Sequence, residues 1–297
     1  MFKILALDGG GLRAVFQARL IERLEVHCGH ALIPDLYAGT SGGAIVACNL
    51  QKIPASKIVK FFEDEGPKIF ERESFLEEVG DLWNLAGAKY YNNQLKKSLT
   101  AVFGDDTLSD LPRRTLITSF ALRHEDKFWQ PVVFHNFPNV KASPDLSVVD
   151  ALLRSSAAPT YFPVYQDHCD GGVWGNNPSM SAVAAAGDEY VGGQKLSNIS
   201  VLSIGTGRLL MQLKGGKRDL GAADWFQKGI VDILLDGNVE ASHYYCKSLL
   251  GARYHRVQVD LDQNIKLDDV KSIGKMISYA DAVDLKPILE WLQGFWV

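Results

Sequence analysis

Residues 37–44 read Tyr37-Ala38-Gly39-Thr40-Ser41-Gly42-Gly43-Ala44. Gly39, Ser41 and Gly43 hold the three fixed places of G-x-S-x-G, the pattern of a serine on a sharp turn between a strand and a helix. Such a turn crowds the backbone on both sides of the serine, and residues without a β-carbon relieve the crowding. The hydroxyl then projects outward, and the following helix aims its N-terminal N–H groups at the reaction site. The neighbours suit this reading. Asp35-Leu36-Tyr37-Ala38 is a short apolar approach, and Ala44 to Leu50 has the composition of a helix. The same five residues also describe an ordinary Gly/Ser turn, so the rest of the chain must decide.

Working outward toward the N-terminus, Lys3 to Leu7 reads as a short buried strand and Asp8-Gly9-Gly10-Gly11-Leu12-Arg13 as a glycine-rich turn. Phe16, Leu20 and Leu24 follow at helical spacing, with Arg19, Glu22, Arg23 and Glu25 on the other face. Strand, glycine turn and helix make an anion site, because successive N–H groups converge there. Two chemistries use that layout. One is a dinucleotide pyrophosphate, since Gly9-x-Gly11-x-x-Ala14 satisfies G-x-G-x-x-G/A. The other is an oxyanion hole for acyl transfer. The first needs an acidic residue at the end of the second strand. Asp35 lies near the required distance but comes before that strand. Beside a serine turn, the oxyanion reading is the stronger.

Bulk properties narrow the class. The 297 residues are 46% hydrophobic and 22% charged, as in a globular chain with room for a large core. A net charge of −4 gives no reason to expect nucleic acid as a partner. Cys28, Cys48, Cys169 and Cys246 are scattered without metal or redox spacing, which suits reduced thiols in a cytoplasmic protein. Met1 to Leu7 is too short for the apolar core of a signal peptide. No stretch has the length of a membrane span, so any membrane contact is expected to be peripheral.

Further along, Pro54–Glu65, Ser74–Ala86 and Gln94–Phe103 are amphipathic, a helical region that either caps the site or packs on a sheet. Thr115–Leu122 and Lys127–His135 alternate like a hairpin around Arg123–Asp126. Ser147 and Asp150 suggest a capping box opening a helix that runs to Ser156, with Pro159 as the stop. Tyr161 to Tyr165 reads as extended. Asp170-Gly171-Gly172 reads as a tight turn presenting a carboxylate. Asn176-Asn177-Pro178 leads into a helix through Ala186 as turn and cap residues. Asn198–Ile204 and Tyr254–Leu261 are strands, and Gly205-Thr206-Gly207 closes the first. Strands alternating with helices, with no repeat and no linker, favour one α/β domain with a mainly parallel sheet.

Three motifs therefore stand in order: Asp8-Gly9-Gly10-Gly11-Leu12-Arg13, Gly39-Thr40-Ser41-Gly42-Gly43 and Asp170-Gly171-Gly172. Together they resemble the patatin-like phospholipase family, as do Ser155–Pro163 and Ser203–Gly207. The resemblance covers roughly residues 3–207, and residues 208–297 carry no family signature, so they are expected to extend and pack on one catalytic domain spanning 1–297. It implies a three-layer α/β/α sandwich related to cytosolic phospholipase A2. It also implies calcium-independent hydrolysis of fatty-acyl esters, as in a phospholipase A or lysophospholipase, with no cofactor and no metal. By motif, Ser41 would be the nucleophile and Asp170 its base. The amides of Gly9, Gly10 and Gly11 would form the oxyanion hole, with Arg13, Gly39, Gly43, Gly171 and Gly172 in support. The substrate would be a lipid ester met at a membrane surface. One departure stands out: Ala14 replaces the last glycine of the family's D-G-G-G-x-R-G, in a helical turn that alanine suits.

The chemistry is consistent with that assignment. A serine hydroxyl is a weak nucleophile until a neighbour takes its proton. An ordinary aspartate, with a pKa of about 3.9, is a poor base at neutral pH, and burial would strengthen it. A Ser/His/Asp triad would use His243, or His168 beside Asp170, yet His243 sits in a helical context. His27, His30, His124, His135 and His255 read as surface or satisfied residues. Trp291 and Trp296 suit either a lipid contact or, more simply, a helix packed on the core. A regulatory protein that binds lipid or nucleotide on the same fold is the alternative from another class, although it would not need Ser41, Asp170 and the glycine turn together.

Overall fold

The computed structural model describes residues 1–71, 87–123, 127–138, 145–209, 219, 221, 224–225 and 230–296. The first half runs β1 (Phe2–Leu7), α1 (Val15–Cys28), β2 (Leu36–Gly39), α2 (Gly42–Asn49), α3 (Ala55–Ile69), α4 (Asn92–Phe103), β3 (Arg114–Ala121) and β4 (Gln130–His135). Next come α5 (Val148–Ser155), β5 (His168–Asp170), α6 (Gly172–Gly175), α7 (Ser179–Gly187), β6 (Ile199–Ile204) and β7 (Arg208–Leu209). The chain ends with α8 (Ile230–Leu250), β8 (Tyr254–Val257), β9 (Asp260–Leu261), α9 (Ile273–Ala282) and α10 (Lys286–Phe295).

The central sheet has the order β4-β3-β2-β1-β6-β8, with β5 on β3. β1 pairs in parallel with β2 and β6, β2 with β3, and β6 with β8. Among the described strands of this sheet, β4 and β5 run antiparallel, both against β3. The mainly parallel sheet expected from the alternating pattern is present.

Burial on both faces explains why Ile4 to Leu7 of β1 form an unbroken apolar run. Phe2, Ile4 and Ala6 join one cluster with residues of α7 and α8. Leu5 and Leu7 join another with α1, α3, α9 and α10. A third cluster unites α2, α4 and α5 over Ile117 of β3, which lies in register with Gly39 and so with Leu7. Helices therefore cover both faces, giving three layers. Trp291 and Trp296 are buried in the same cluster as Leu5 and Leu7, so the C-terminal helices pack on this core. Helix α1 ends where Gly29 turns left-handed (φ 73°) and its N–H caps Glu25.

Some expectations are corrected. Ser147 precedes α5 without a side-chain cap, so the capping box does not form. Asp170 is the last residue of a strand rather than part of a free turn. The run Tyr254–Leu261 splits: β8 stays in the main sheet, whereas β9 pairs with β7 in a two-stranded sheet. The cause is local. Gly207 takes φ 90° and donates to Gln258 Oε1, carrying both chains off the sheet edge together. Most of Ser74–Ala86 and most of the turn Arg123–Asp126 lie outside the described residues.

Candidate active site

Parallel β1 and β2 deliver two loops to the same edge of the sheet. Ser41 follows β2 and opens α2 with φ 51° and ψ −125°, a left-handed conformation that side chains rarely adopt. A Cβ at Gly43 would lie 2.3 Å from the Leu7 carbonyl oxygen, and one at Gly39 2.4 Å from the Ala44 Cα. Both glycines are thus required by close packing. The Ser41 N–H donates to Ser155 Oγ at 2.8 Å, and the Thr40 hydroxyl donates to the Gly175 carbonyl at 2.6 Å. These bonds hold the turn from outside.

Strand β5 brings Asp170 to that turn. Its N–H donates to the Ala157 carbonyl at 3.0 Å, and the Gly171 N–H donates to the Ser155 carbonyl at 3.2 Å. Gly171 packs so tightly on Thr118 that a Cβ would lie 2.3 Å from its hydroxyl. The Gly172 N–H donates to Asp170 Oδ1 at 2.7 Å, and the Ser41 side chain lies near enough to the same carboxylate to favour its charged form. Burial pushes the Asp170 pKa up to about 6, and the Gly172 N–H and the Ser41 hydroxyl only partly oppose it.

Each polar group of the glycine turn can be traced. The Asp8 N–H donates to Ile204 O and the Gly9 N–H to Asn176 O, at 3.1 and 2.9 Å. The Asp8 carbonyl accepts from Gln17 Nε2, and the Gly9 carbonyl from the Thr206 hydroxyl, both at 2.9 Å. The Gly10 carbonyl accepts the Arg13 N–H at 3.1 Å. In a trans peptide C=O and N–H point in opposite directions. Thr206 therefore turns the Gly10 N–H away from itself, and Arg13 does the same for the Gly11 N–H. Among the described residues neither amide has an acceptor. The structure differs from expectation at Gly9, whose N–H is already committed to Asn176. Gly42 adds a neighbouring backbone, since a Cβ there would lie 2.5 Å from Gly11 O.

Behind the turn, Asp8 is buried and gripped by both terminal nitrogens of Arg256, which also donates to Ser203 Oγ at 2.8 Å. Burial raises the Asp8 pKa, while Arg256 pulls it down. Asn238 of α8 donates to the Gly172 carbonyl at 2.9 Å and accepts the Asn176 N–H at 3.0 Å, bracing the Asp170 loop. The sequence reading missed Arg256 and Asn238, since both act across long separations. It took Asn176 and Asn177 as turn and cap residues. Asn177 accepts the Ser179 N–H in a turn just ahead of α7, whereas Asn176 lines the site and its carbonyl receives the Gly9 N–H.

Ser41, Asp170, Gly172, the glycine turn and Arg13 open onto one cavity of about 150 Å³, walled mostly by Leu12, Ile45, Phe61, Phe62, Phe70 and Phe162. Phe61, Phe62 and Phe70 come from α3 and its end, so this helix supplies part of the cavity wall while also packing on the core. A cavity of that size, walled largely by apolar side chains, has room for a segment of an acyl chain. Among the described residues no histidine lines the cavity. His243 contacts the Tyr254 hydroxyl, and His168 Nδ1 contacts the Gln166 carbonyl. The dinucleotide reading also fails on geometry. Asp35 accepts the Lys3 N–H, which places it at the opposite end of the strands, about 13 Å from their C-terminal edge at roughly 3.3 Å per residue. Among the described residues no cluster of side chains suits a metal, and no helix is long and apolar enough to cross a membrane.

A family model described as patatin-like phospholipase matches residues 5–183, a span that holds the glycine turn, Ser41 and Asp170. The chain belongs to the patatin-like phospholipase family. As a patatin-like phospholipase it is a lipid hydrolase. It is 28% identical over 285 residues to a cGAMP-activated phospholipase of Pseudomonas aeruginosa, covering 92% of this chain and 84% of the relative. It is 28% identical over 284 residues to patatin-like protein 2 of Arabidopsis thaliana, covering 80% of this chain and 69% of that one. Among solved structures, the type III effector protein ExoU aligns with 95% of this chain at 12% identity and a TM-score of 0.41. The chain spans only about half of that effector's length (54%).

Proposed function

We propose that this patatin-like phospholipase cleaves fatty-acyl esters through a Ser41–Asp170 dyad and an acyl-enzyme, without calcium. The observation that carries the reading is that Ser41 and the buried Asp170 carboxylate line one largely apolar cavity, with the serine close enough to favour the charged carboxylate. With a pKa of about 6, Asp170 is ionised at neutral pH yet a stronger base than an exposed aspartate. Ser41 Oγ attacks the ester carbonyl carbon while its proton passes to Asp170. The resulting oxyanion faces the Gly10 and Gly11 N–H groups, joined by that of Gly42, each contributing on the order of 3 kcal/mol. Asp170 returns the proton to the leaving alcohol. Water then releases the fatty acid. Arg13 braces the turn through its N–H bond to Gly10 O, and residues 1–297 act as one catalytic unit. Phospholipid or lysophospholipid at a membrane surface is the substrate class that the cavity's apolar wall suits.

Turnover of a short-chain ester and of phospholipid vesicles by wild type, Ser41→Ala and Asp170→Asn tests this. Loss in both variants with folding retained supports the dyad, and retained turnover in Ser41→Ala sinks it. A second reading keeps the same chemistry latent until a nucleotide binds, and the Pseudomonas relative named as cGAMP-activated favours it. Under that reading a cyclic dinucleotide would raise the wild-type rate and leave Ser41→Ala silent.

A further inference from the structure

The dyad accounts for acylation, but the second half-reaction needs a water held in an apolar chamber. Ser156 is suited to that task. It is 6% exposed, it lines the cavity shared by Ser41 and Asp170, and its hydroxyl has no hydrogen-bond partner among the described residues. A buried hydroxyl left without a partner is costly, and in native structures it calls for an explanation. Its position is fixed from both sides. The preceding Ser155 accepts the Ser41 N–H on its hydroxyl and the Gly171 N–H on its carbonyl. The following Ala157 accepts the Asp170 N–H. Ser156 itself is held by its N–H bond to the Leu152 carbonyl and by the Ala158 N–H, which donates to its carbonyl. The one unused hydroxyl of this stretch therefore sits between attachments to nucleophile and base.

We propose that Ser156 Oγ, together with Asp170, holds the water that hydrolyses the acyl-enzyme. A water ordered in a site needs two to four polar partners. The acyl chain is apolar and gives no use to a hydroxyl. The departing alcohol vacates the place beside Asp170, and water enters there. Its oxygen forms a bond to the acyl carbon as one of its protons passes to Asp170. The oxyanion collapses, the bond from the acyl carbon to Ser41 Oγ breaks, and Asp170 returns the proton to Ser41. The products are a free carboxylic acid and the starting enzyme. The inference rests on the dyad reading.

The test is rapid-mixing kinetics with a chromogenic short-chain ester, joined to intact-mass measurement during turnover, for wild type, Ser156→Ala and Ser156→Cys. Cysteine is nearly the size of serine and bonds weakly, so it controls for packing. The expected result is a burst rate within twofold of wild type, a steady-state rate at least tenfold lower, and acyl-Ser41 accumulating in both variants. A steady-state rate within twofold of wild type overturns the proposal, as does an equal fall in burst and steady-state rates. If wild type itself forms no acyl-enzyme while turning over ester, the dyad reading fails, which a normal wild type beside unaffected variants would not indicate.

Discussion

Replacing Asp170 by asparagine should abolish turnover and yet stabilise the protein, in a pH-dependent way. Burial moves this carboxyl from an ordinary 3.8 to about 6. The folded state therefore holds a proton that the unfolded chain releases, and stability falls as pH rises between those values. A difference of about 2.2 pKa units at about 1.36 kcal/mol each makes ionised Asp170 cost the fold about 3 kcal/mol above pH 6. Asparagine keeps the acceptor for the Gly172 N–H and carries no charge. Urea unfolding of both proteins should give similar stabilities at pH 4 and a variant more stable by up to about 3 kcal/mol at pH 7.5. In wild type the same group sets the acid limb of kcat/KM, with a midpoint near 6 and a tenfold loss for each unit below it. A stability difference that stays flat with pH, or that grows toward acid, would refute the assignment of Asp170 as a buried, weakly acidic base.

Other perturbations probe separate parts of the site. Ser41→Gly removes the nucleophile and also the strain at φ 51°, so it should be inactive and about 1 kcal/mol more stable in thermal unfolding. Thr206→Val deletes the hydroxyl that fixes the Gly9 carbonyl, and steady-state kinetics should show kcat lowered about tenfold with KM nearly unchanged. Arg256→Met leaves Asp8 buried without its partner, a loss of about 3–5 kcal/mol readable by denaturant titration. EDTA or EGTA in the assay should leave the rate unaltered, because no step of the dyad uses a metal.

The parts of this molecule that could be read from sequence are those whose signals are local. The serine turn is spelled out by Gly39, Ser41 and Gly43, the two glycines being needed where backbone passes backbone. β1 is legible through the apolar run Ile4–Leu7, since both of its faces are covered. Asp170 was found by its two glycines, although the strand that presents it was not, because three residues carry no period. What stayed hidden acts at a distance. Arg256 lies 248 residues from Asp8, and a lone arginine in a short strand gives no hint of its partner. Asn238 looks like any polar position on α8. The commitment of the Gly9 N–H depends on where the Asn176 backbone arrives, which only the assembled sheet decides.

Most direct is a search for the acyl-enzyme itself. Wild type would be mixed with a fatty-acyl ester, quenched in acid during turnover, and digested for peptide mass spectrometry, with Ser41→Ala and Asp170→Asn alongside. The expected result is a single acyl adduct on Ser41 in wild type, none in Ser41→Ala, and none formed within the turnover time in Asp170→Asn. Turnover with no adduct, or an adduct on another residue that survives in Ser41→Ala, would contradict the dyad.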